Sequence, residues 1–179
     1  MDEGRYPAEI EHDVPLRDGG TVHLRPIRPD DAPRLQAAFS RLSRDSIFFR
    51  FFSPLPVLTD ERAAYFTTVD YDRRLAIVAV ERDGEDERII GVVRYDRSDD
   101  ETAELALIVE DRVQHHGIGS TLFEALVAAA RARGIRTLVA DVLAENKGML
   151  HLLRASGLPM RARRNGTALR VELDLTSSG

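Results

Sequence analysis

Residues 109–126 read VEDRVQHHGIGSTLFEAL: an apolar strand end, two adjacent histidines, a spaced glycine pair, then a helical apolar pattern. Three chemistries fit such a junction. It can be a metal site on His115 and His116, a catalytic histidine pair, or a phosphate cradle built from main chain. Gly117 and Gly119 permit φ > 0 and let a ligand approach the backbone closely. The helix that follows presents unpaired N–H groups and the positive end of its dipole, which together suit an anion such as phosphate. No third metal ligand stands at a recognisable spacing, so no metal is expected. His115 and His116 then read as exposed loop residues near the anion. By itself, the glycine pair is equally compatible with a plain tight turn.

Two familiar phosphate sites do not fit. A P-loop needs Gly-Lys-Ser/Thr, whereas the run here is Gly119-Ser120-Thr121. A dinucleotide-binding turn needs a third glycine where Leu122 stands, after a strand that opens a parallel βαβ unit. The strand before this loop instead closes an antiparallel meander.

Outward from the loop, the pattern on the C-terminal side is α/β. Leu122, Phe123, Leu126, Val127 and Ala130 make an amphipathic helix ended by Arg131, Arg133 and Gly134. TLVADVLA (137–144) is a strand, NKGMLHLLRASG (146–157) a helix closed by Gly157, and LRVELDL (169–175) a final strand. On the N-terminal side TAELALIVE (102–110) is a strand. It follows RLAIVAVER (74–82) and RIIGVVRY (88–95), which flank the charged turn DGEDE. Before these come a strand at TVHLRPI (21–27) and a helix capped by Asp30 or Asp31, with Leu35, Ala38, Phe39 and Leu42 on its apolar stripe. An aromatic helix at SRDSIFFRFFSP (43–54) and a short helix capped by Thr59 complete the set. Residues 1–16 show little periodicity and are expected as a loosely held tail, as are 176–179 at the other end.

Composition narrows the class. The 179 residues are 43% hydrophobic and carry a net charge of −5, so a single domain with a true core is expected and a generally basic nucleic-acid binder is not. There is no cysteine, which removes disulfides, thiolate metal sites and cysteine nucleophiles. The acidic start MDEGRYPAEIEHD has no signal-peptide pattern, and no apolar run approaches a membrane span; a cytoplasmic protein is expected.

Gln114-His115-His116-Gly117-Ile118-Gly119 fits the Q/R-x-x-G-x-G/A loop of the GNAT family of N-acetyltransferases, and it stands where that family has it, after the fourth strand and opening the third main helix. The resemblance covers about 17–175. SRDSIFFRFF, TAELALIVED and LAEN further resemble the acetyltransferase domain of the bacterial Pat-type protein lysine acetyltransferases. It implies a GNAT fold: a mixed, mostly antiparallel sheet splayed between its fourth and fifth strands and flanked by helices. It also implies acetyl-CoA as co-substrate. The amides of Gln114, His115, His116, Gly117, Ile118, Gly119 and Ser120 would hold its pyrophosphate. The strand edge at Leu107, Ile108 and Val109 would pair with the pantetheine arm, and Asn146 would contact the cofactor. Five strand steps from Glu104 to Val109 span about 17 Å at ~3.3 Å each, comparable with that arm. Pat-type proteins often carry a nucleotide-sensing or synthetase-like domain; 179 residues leave no room for one, so regulation of that kind is not carried over.

Acetylating an amine requires its proton to leave, since a lysine with pKa ~10.4 is protonated at neutral pH. Glu104 would share a strand face with Ala106 and Ile108, and burial in that apolar row would make its carboxylate a stronger base. A glutamate facing solvent or paired with an arginine is the bland alternative. In Pat-type proteins the proposed base stands in a matching AE-x-A context, ten residues before the loop's first position, and Glu104 keeps that spacing to Gln114. Many relatives place an acidic tyrosine where Leu153 stands here; Pat-type domains lack it too.

The expectation is therefore an N-acetyltransferase acting on a protein lysine by direct attack with Glu104 as base. Acetylation of a small amine, or a non-catalytic acyl-CoA-binding module, are the alternatives. Ile47, Phe48, Phe49, Phe51 and Phe52 read mostly as core, with a share in an acceptor pocket. RARR (161–164) reads as a solvated hairpin, Asp30 and Asp31 as surface charge, and His12, His23 and His151 as structural.

Overall fold

The computed structural model describes residues 4–177. Eight strands form one sheet in the order β1-β2-β3-β4-β5-β6-β8-β7. They are β1 (His12–Pro15), β2 (Thr21–Pro26), β3 (Arg74–Asp83), β4 (Asp86–Arg97), β5 (Thr102–Val109), β6 (Thr137–Leu143), β7 (Met160–Asn165) and β8 (Ala168–Asp174). Every neighbouring pair is antiparallel except β5 and β6. Five helices flank it: α1 (Ala32–Ser40), α2 (Arg44–Phe51), α3 (Asp60–Thr67), α4 (Ile118–Ala132) and α5 (Lys147–Ala155). None is long and apolar enough to cross a membrane.

The unbroken apolar run of β3 follows from burial on both faces. Leu75, Ile77 and Ala79 face the main core with Leu122, Phe123 and Leu126 of α4 and Leu150 and Leu153 of α5. Ala76, Val78 and Val80 face the other way, toward Leu35 and Ala38 of α1. Phe39, Leu58 and Ala63 join α1 to α3, with Phe51 of α2 packed alongside. The sheet thus has α4 and α5 on one face and α1–α3 on the other.

Three expectations change. Residues 12–15 are not a loose tail: they form β1 and pair with β2 in the register His12↔Leu24 to Pro15↔Thr21. Their order comes from the partner strand, which a local apolar period does not report. Ahead of them Tyr6 packs edge-on against Tyr71, ring centroids 5.7 Å apart, and its hydroxyl donates to Glu11. Residues 1–3 of that expected tail, and 178–179 of the C-terminal one, lie outside the described residues. Because β1 adds a strand, the splay expected after the fourth strand falls between β5 and β6.

Asp31 is the third. It stands at the N-cap of α1, as expected, but its side chain makes no cap bond and is not on the surface; it is fully buried and its carboxylate accepts two bonds of 2.7 Å from the Arg25 guanidinium, itself fully buried. Arg25 also donates to Glu87 at 2.7 Å, and Asp31 accepts the Arg28 amide at 2.8 Å. Burial alone would raise the Asp31 carboxyl, but the Arg25 bonds outweigh it and hold it below the ordinary carboxylate value.

Candidate active site

The parallel pairing of β5 with β6 is short. It runs from Thr102↔Thr137 through Ala103↔Leu138 to Glu104↔Val139 and stops. β6 turns away to pair with β8 over its whole length, while β5 stays on β4 as far as Gly91↔Val109. The β6-facing edge of residues 105–109 is therefore left without a strand partner. A cleft of about 210 Å³ opens there, lined by Leu105, Ala106 and Leu107 of β5, Val139–Val142 of β6, and Asn146 and Met149 of α5.

The loop lies at the far end of β5. A 3-10 turn (Asp111–Val113) leads into it, and the chain takes φ +67° at His115 and φ +87° at Gly117 before α4 begins. For the histidine this is an uncommon conformation. Gly117 is the N-cap of α4, and no side chain caps the helix, so its first-turn amides stay open to a ligand. The two glycines differ in role. A Cβ on Gly117 would meet nothing within 4 Å; its requirement is the positive φ. One on Gly119 would sit 3.0 Å from Leu152 Cδ1 and 3.7 Å from Leu107 Cδ2, so Gly119 lets α4 close onto β5 and α5 rather than admitting a ligand.

The loop side chains are mostly engaged elsewhere. Gln114 Nε2 donates to the Val109 carbonyl at 3.0 Å and so braces the end of β5. His115 and His116 are exposed, and His116 Nδ1 lies 3.2 Å from Asp18. Ile118 is buried in the core. Ser120 is exposed. Ile108 faces α1–α3, and Leu107 lines the cleft. Asn146 Oδ1 accepts the Met149 amide at 3.1 Å as the cap of α5, while the residue also lines the cleft. Among the described residues no group of three or more His, Asp or Glu is placed to hold a metal.

Glu104 stands where the splay begins. Its strand face is the expected one, but the expected burial is absent: the side chain is 60% exposed, with Arg170 Nη2 at 3.6 Å from its carboxylate. It is the last residue of β5 paired to β6, and the cleft mouth keeps it wet. Arg170 in turn donates to Asp141 at 2.7 Å. Leu153 is fully buried in the main core and offers no acid.

The residues matched by the model for the acetyltransferase (GNAT) domain are 21–159. The chain belongs to the GNAT acetyltransferase family. It is 37% identical to the GNAT domain of S. lividans PAT, with a TM-score of 0.87 over 95% of this chain and 99% of that one. It is 29% identical over 143 residues to the acetyltransferase PA5475 of Pseudomonas aeruginosa, covering 79% of this chain and 77% of that protein. The acetyltransferase Pat of Mycolicibacterium smegmatis is 31% identical over 149 residues, 80% of this chain but 43% of that longer protein. The GNAT acetyltransferase fold expected from the loop, and the Pat-type resemblance expected from SRDSIFFRFF, TAELALIVED and LAEN, are thus found.

Sequence reasoning missed the charged frame of this GNAT cleft. Arg50, Asp96, Asp141 and Arg170 line it with Glu104. Each comes from a different element, and only strand register brings Asp96 opposite Glu104 and Asp141 opposite Arg170. Of the aromatic run, Phe49 and Phe52 reach the cleft, whereas Ile47 and Phe51 pack in the core between α1 and α3.

Proposed function

We propose that the chain transfers an acetyl group from acetyl-CoA to a primary amine, foremost a protein lysine, by direct attack without a covalent enzyme intermediate. The observation that carries this reading is the end of β5–β6 pairing at Glu104, which opens a cleft beside the carboxylate along β5, the strand whose far end leads through the glycine loop to the uncapped start of α4. The amides of residues 114–120 grip the pyrophosphate. The unpartnered edge at Leu107–Val109 pairs with the pantetheine arm, and the thioester comes to rest beside Glu104. Asn146 borders the arm from α5.

Glu104 takes the proton as the amine nitrogen attacks the thioester carbon. Much of the rate rests on holding amine and thioester together, worth ~7–11 kcal/mol in favourable cases. Strand N–H groups beside the thioester oxygen stabilise the charge that develops there. The sulfur leaves as the coenzyme thiolate. Asp96, Glu104 and Asp141 against Arg50 and Arg170 leave the cleft with an acidic excess, which suits an ammonium group. Lysine as acceptor takes its support from this acidity and from the likeness to S. lividans PAT.

Calorimetric titration with acetyl-CoA, followed by thiol release on lysine peptides and polyamines, tests the reading. Saturable binding with turnover supports it. Binding without thiol release on any amine favours a non-catalytic module, and absence of binding removes the assignment.

A further inference from the structure

Arg50 and Arg94 take no part in the chemistry above, yet Arg94 is buried and Arg50 half-buried beside it. Arg94 leaves β4 on the face of Ala106, its partner across β5, and is 6% exposed. Its Nη2 donates to the Phe66 carbonyl at 2.6 Å, and its guanidinium lies 4.8 Å from the Phe66 ring centre. Arg50 comes from α2, with its guanidinium 4.8 Å from the Phe51 ring centre. Among the described residues neither forms an ion pair. Both line a small apolar cavity of about 60 Å³ beneath α1–α3, and Arg50 and Ala106 are shared between that cavity and the cleft.

Buried cations are ordinarily paired with carboxylates. The acid whose field both feel is Asp96, and Asp96 already accepts from Arg74 Nε at 2.9 Å. Burial pushes the Arg94 guanidinium down to about 10 against that attraction, with the charges of Arg50 and Arg74 adding to the fall. Burial lowers Arg50 as well. A carbonyl and two aromatic faces are a partial substitute for an anion.

One strand row away the sign reverses. Asp96 and Glu104 are cross-strand partners, a like-charge pair with Arg74 2.9 Å from the first and Arg170 3.6 Å from the second. Rows on one face of a strand repeat every ~7 Å. The cleft therefore offers a carboxylate row that favours an ammonium group and, beside it, the Arg50 guanidinium, which favours a carboxylate.

We infer that Arg50, backed by Arg94, is a subsite for a carboxylate on the acceptor, several bonds removed from the reacting amine. This rests on the acetyl-transfer reading, which puts the amine at Glu104. The carboxylate can be the acceptor's own or that of an acidic residue beside an acceptor lysine.

Matched amines separate these. Thiol release from acetyl-CoA is followed with 6-aminohexanoate against hexylamine, with Nα-acetyllysine against its amide, and with end-blocked Lys-Asp against Lys-Asn. The carboxylate-bearing member of at least one pair is expected to have a kcat/KM higher by about tenfold, the size of one charge-assisted contact. A preference in the first two pairs assigns the acceptor's own carboxylate; one confined to the third assigns a neighbouring residue. Arg50→Gln should bring the favoured ratio to near unity, and Arg94→Gln should reduce it. Equal rates within all three pairs, or an Arg50→Gln loss that falls equally on both members, overturns the inference while leaving acetyl transfer standing. Failure to bind acetyl-CoA in calorimetry removes both.

Discussion

Glu104 and the two loop glycines carry the residue-scale claims. Glu104→Gln should lower turnover by about 10²–10⁴-fold while acetyl-CoA still binds, read by steady-state thiol release and calorimetry. Near-normal turnover would take Glu104 out of the mechanism. Gly117 and Gly119 should fail for different reasons. Gly117→Ala forces a side chain into φ +87°, at a cost of about 1–2 kcal/mol in urea unfolding. Gly119→Ala pushes on Leu152 Cδ1 at 3.0 Å, and its effect depends on how far that leucine yields. The glycine spacing was visible in the chain, but its division of labour was not: close approach of α4 to α5 depends on residues more than thirty positions apart.

At the scale of elements, α2 is tied to the turn that leads into the glycine loop. Asp111 Oδ1 accepts from the hydroxyls of Ser43 at 2.6 Å and Ser46 at 2.8 Å, and Oδ2 accepts the Ser43 amide at 3.0 Å. Ser43 is the N-cap of α2, the helix that sends Phe49, Arg50 and Phe52 to the cleft. The turn carrying Asp111 leads directly into the glycine loop. Asp111→Ala should cost about 1–3 kcal/mol, speed amide exchange over 44–51, and raise the acceptor KM more than the acetyl-CoA Kd. A uniform change in both constants would count against the tie. Burial alone would raise the Asp111 carboxyl; the serine bonds outweigh it and hold it low. Its stabilisation is then full above the unfolded value near 4 and fades as pH falls through the lower folded one. The cap of α3 was legible, since Thr59 accepts the Arg62 amide as expected; the Ser43 cap of α2, which accepts the Ser46 amide, was not singled out. The latch between one helix and a loop 68 residues away was not.

For the whole molecule, the buried Arg25–Asp31–Glu87 cluster joins β2, the start of α1 and β4. Asp31→Ala should cost about 3–5 kcal/mol, because Arg25 would stay buried with half its compensation gone. Replacing both, Arg25→Met with Asp31→Leu, should cost less, as urea midpoints would show. Asp31, Glu87 and Glu110 are all depressed: burial opposes ionisation, and arginine bonds win. Depressed carboxylates bind fewer protons folded than unfolded, so stability should hold from neutrality down to about pH 5 and fall below about pH 4. A midpoint unchanged at pH 3 would contradict this. The sequence by itself determined the element order, the amphipathic faces of α4 and α5, and the place of the glycine loop and Glu104 on consecutive elements, because each is written in neighbours a few residues apart. Only the tertiary structure decided that β1 joins the sheet, that Asp31 is buried, that Glu104 is exposed beside Arg170, and that Arg50 and Arg94 share a cavity without an ion pair among the described residues. Those outcomes depend on strand register and on which faces are covered, and both are set by contacts between distant parts of the chain.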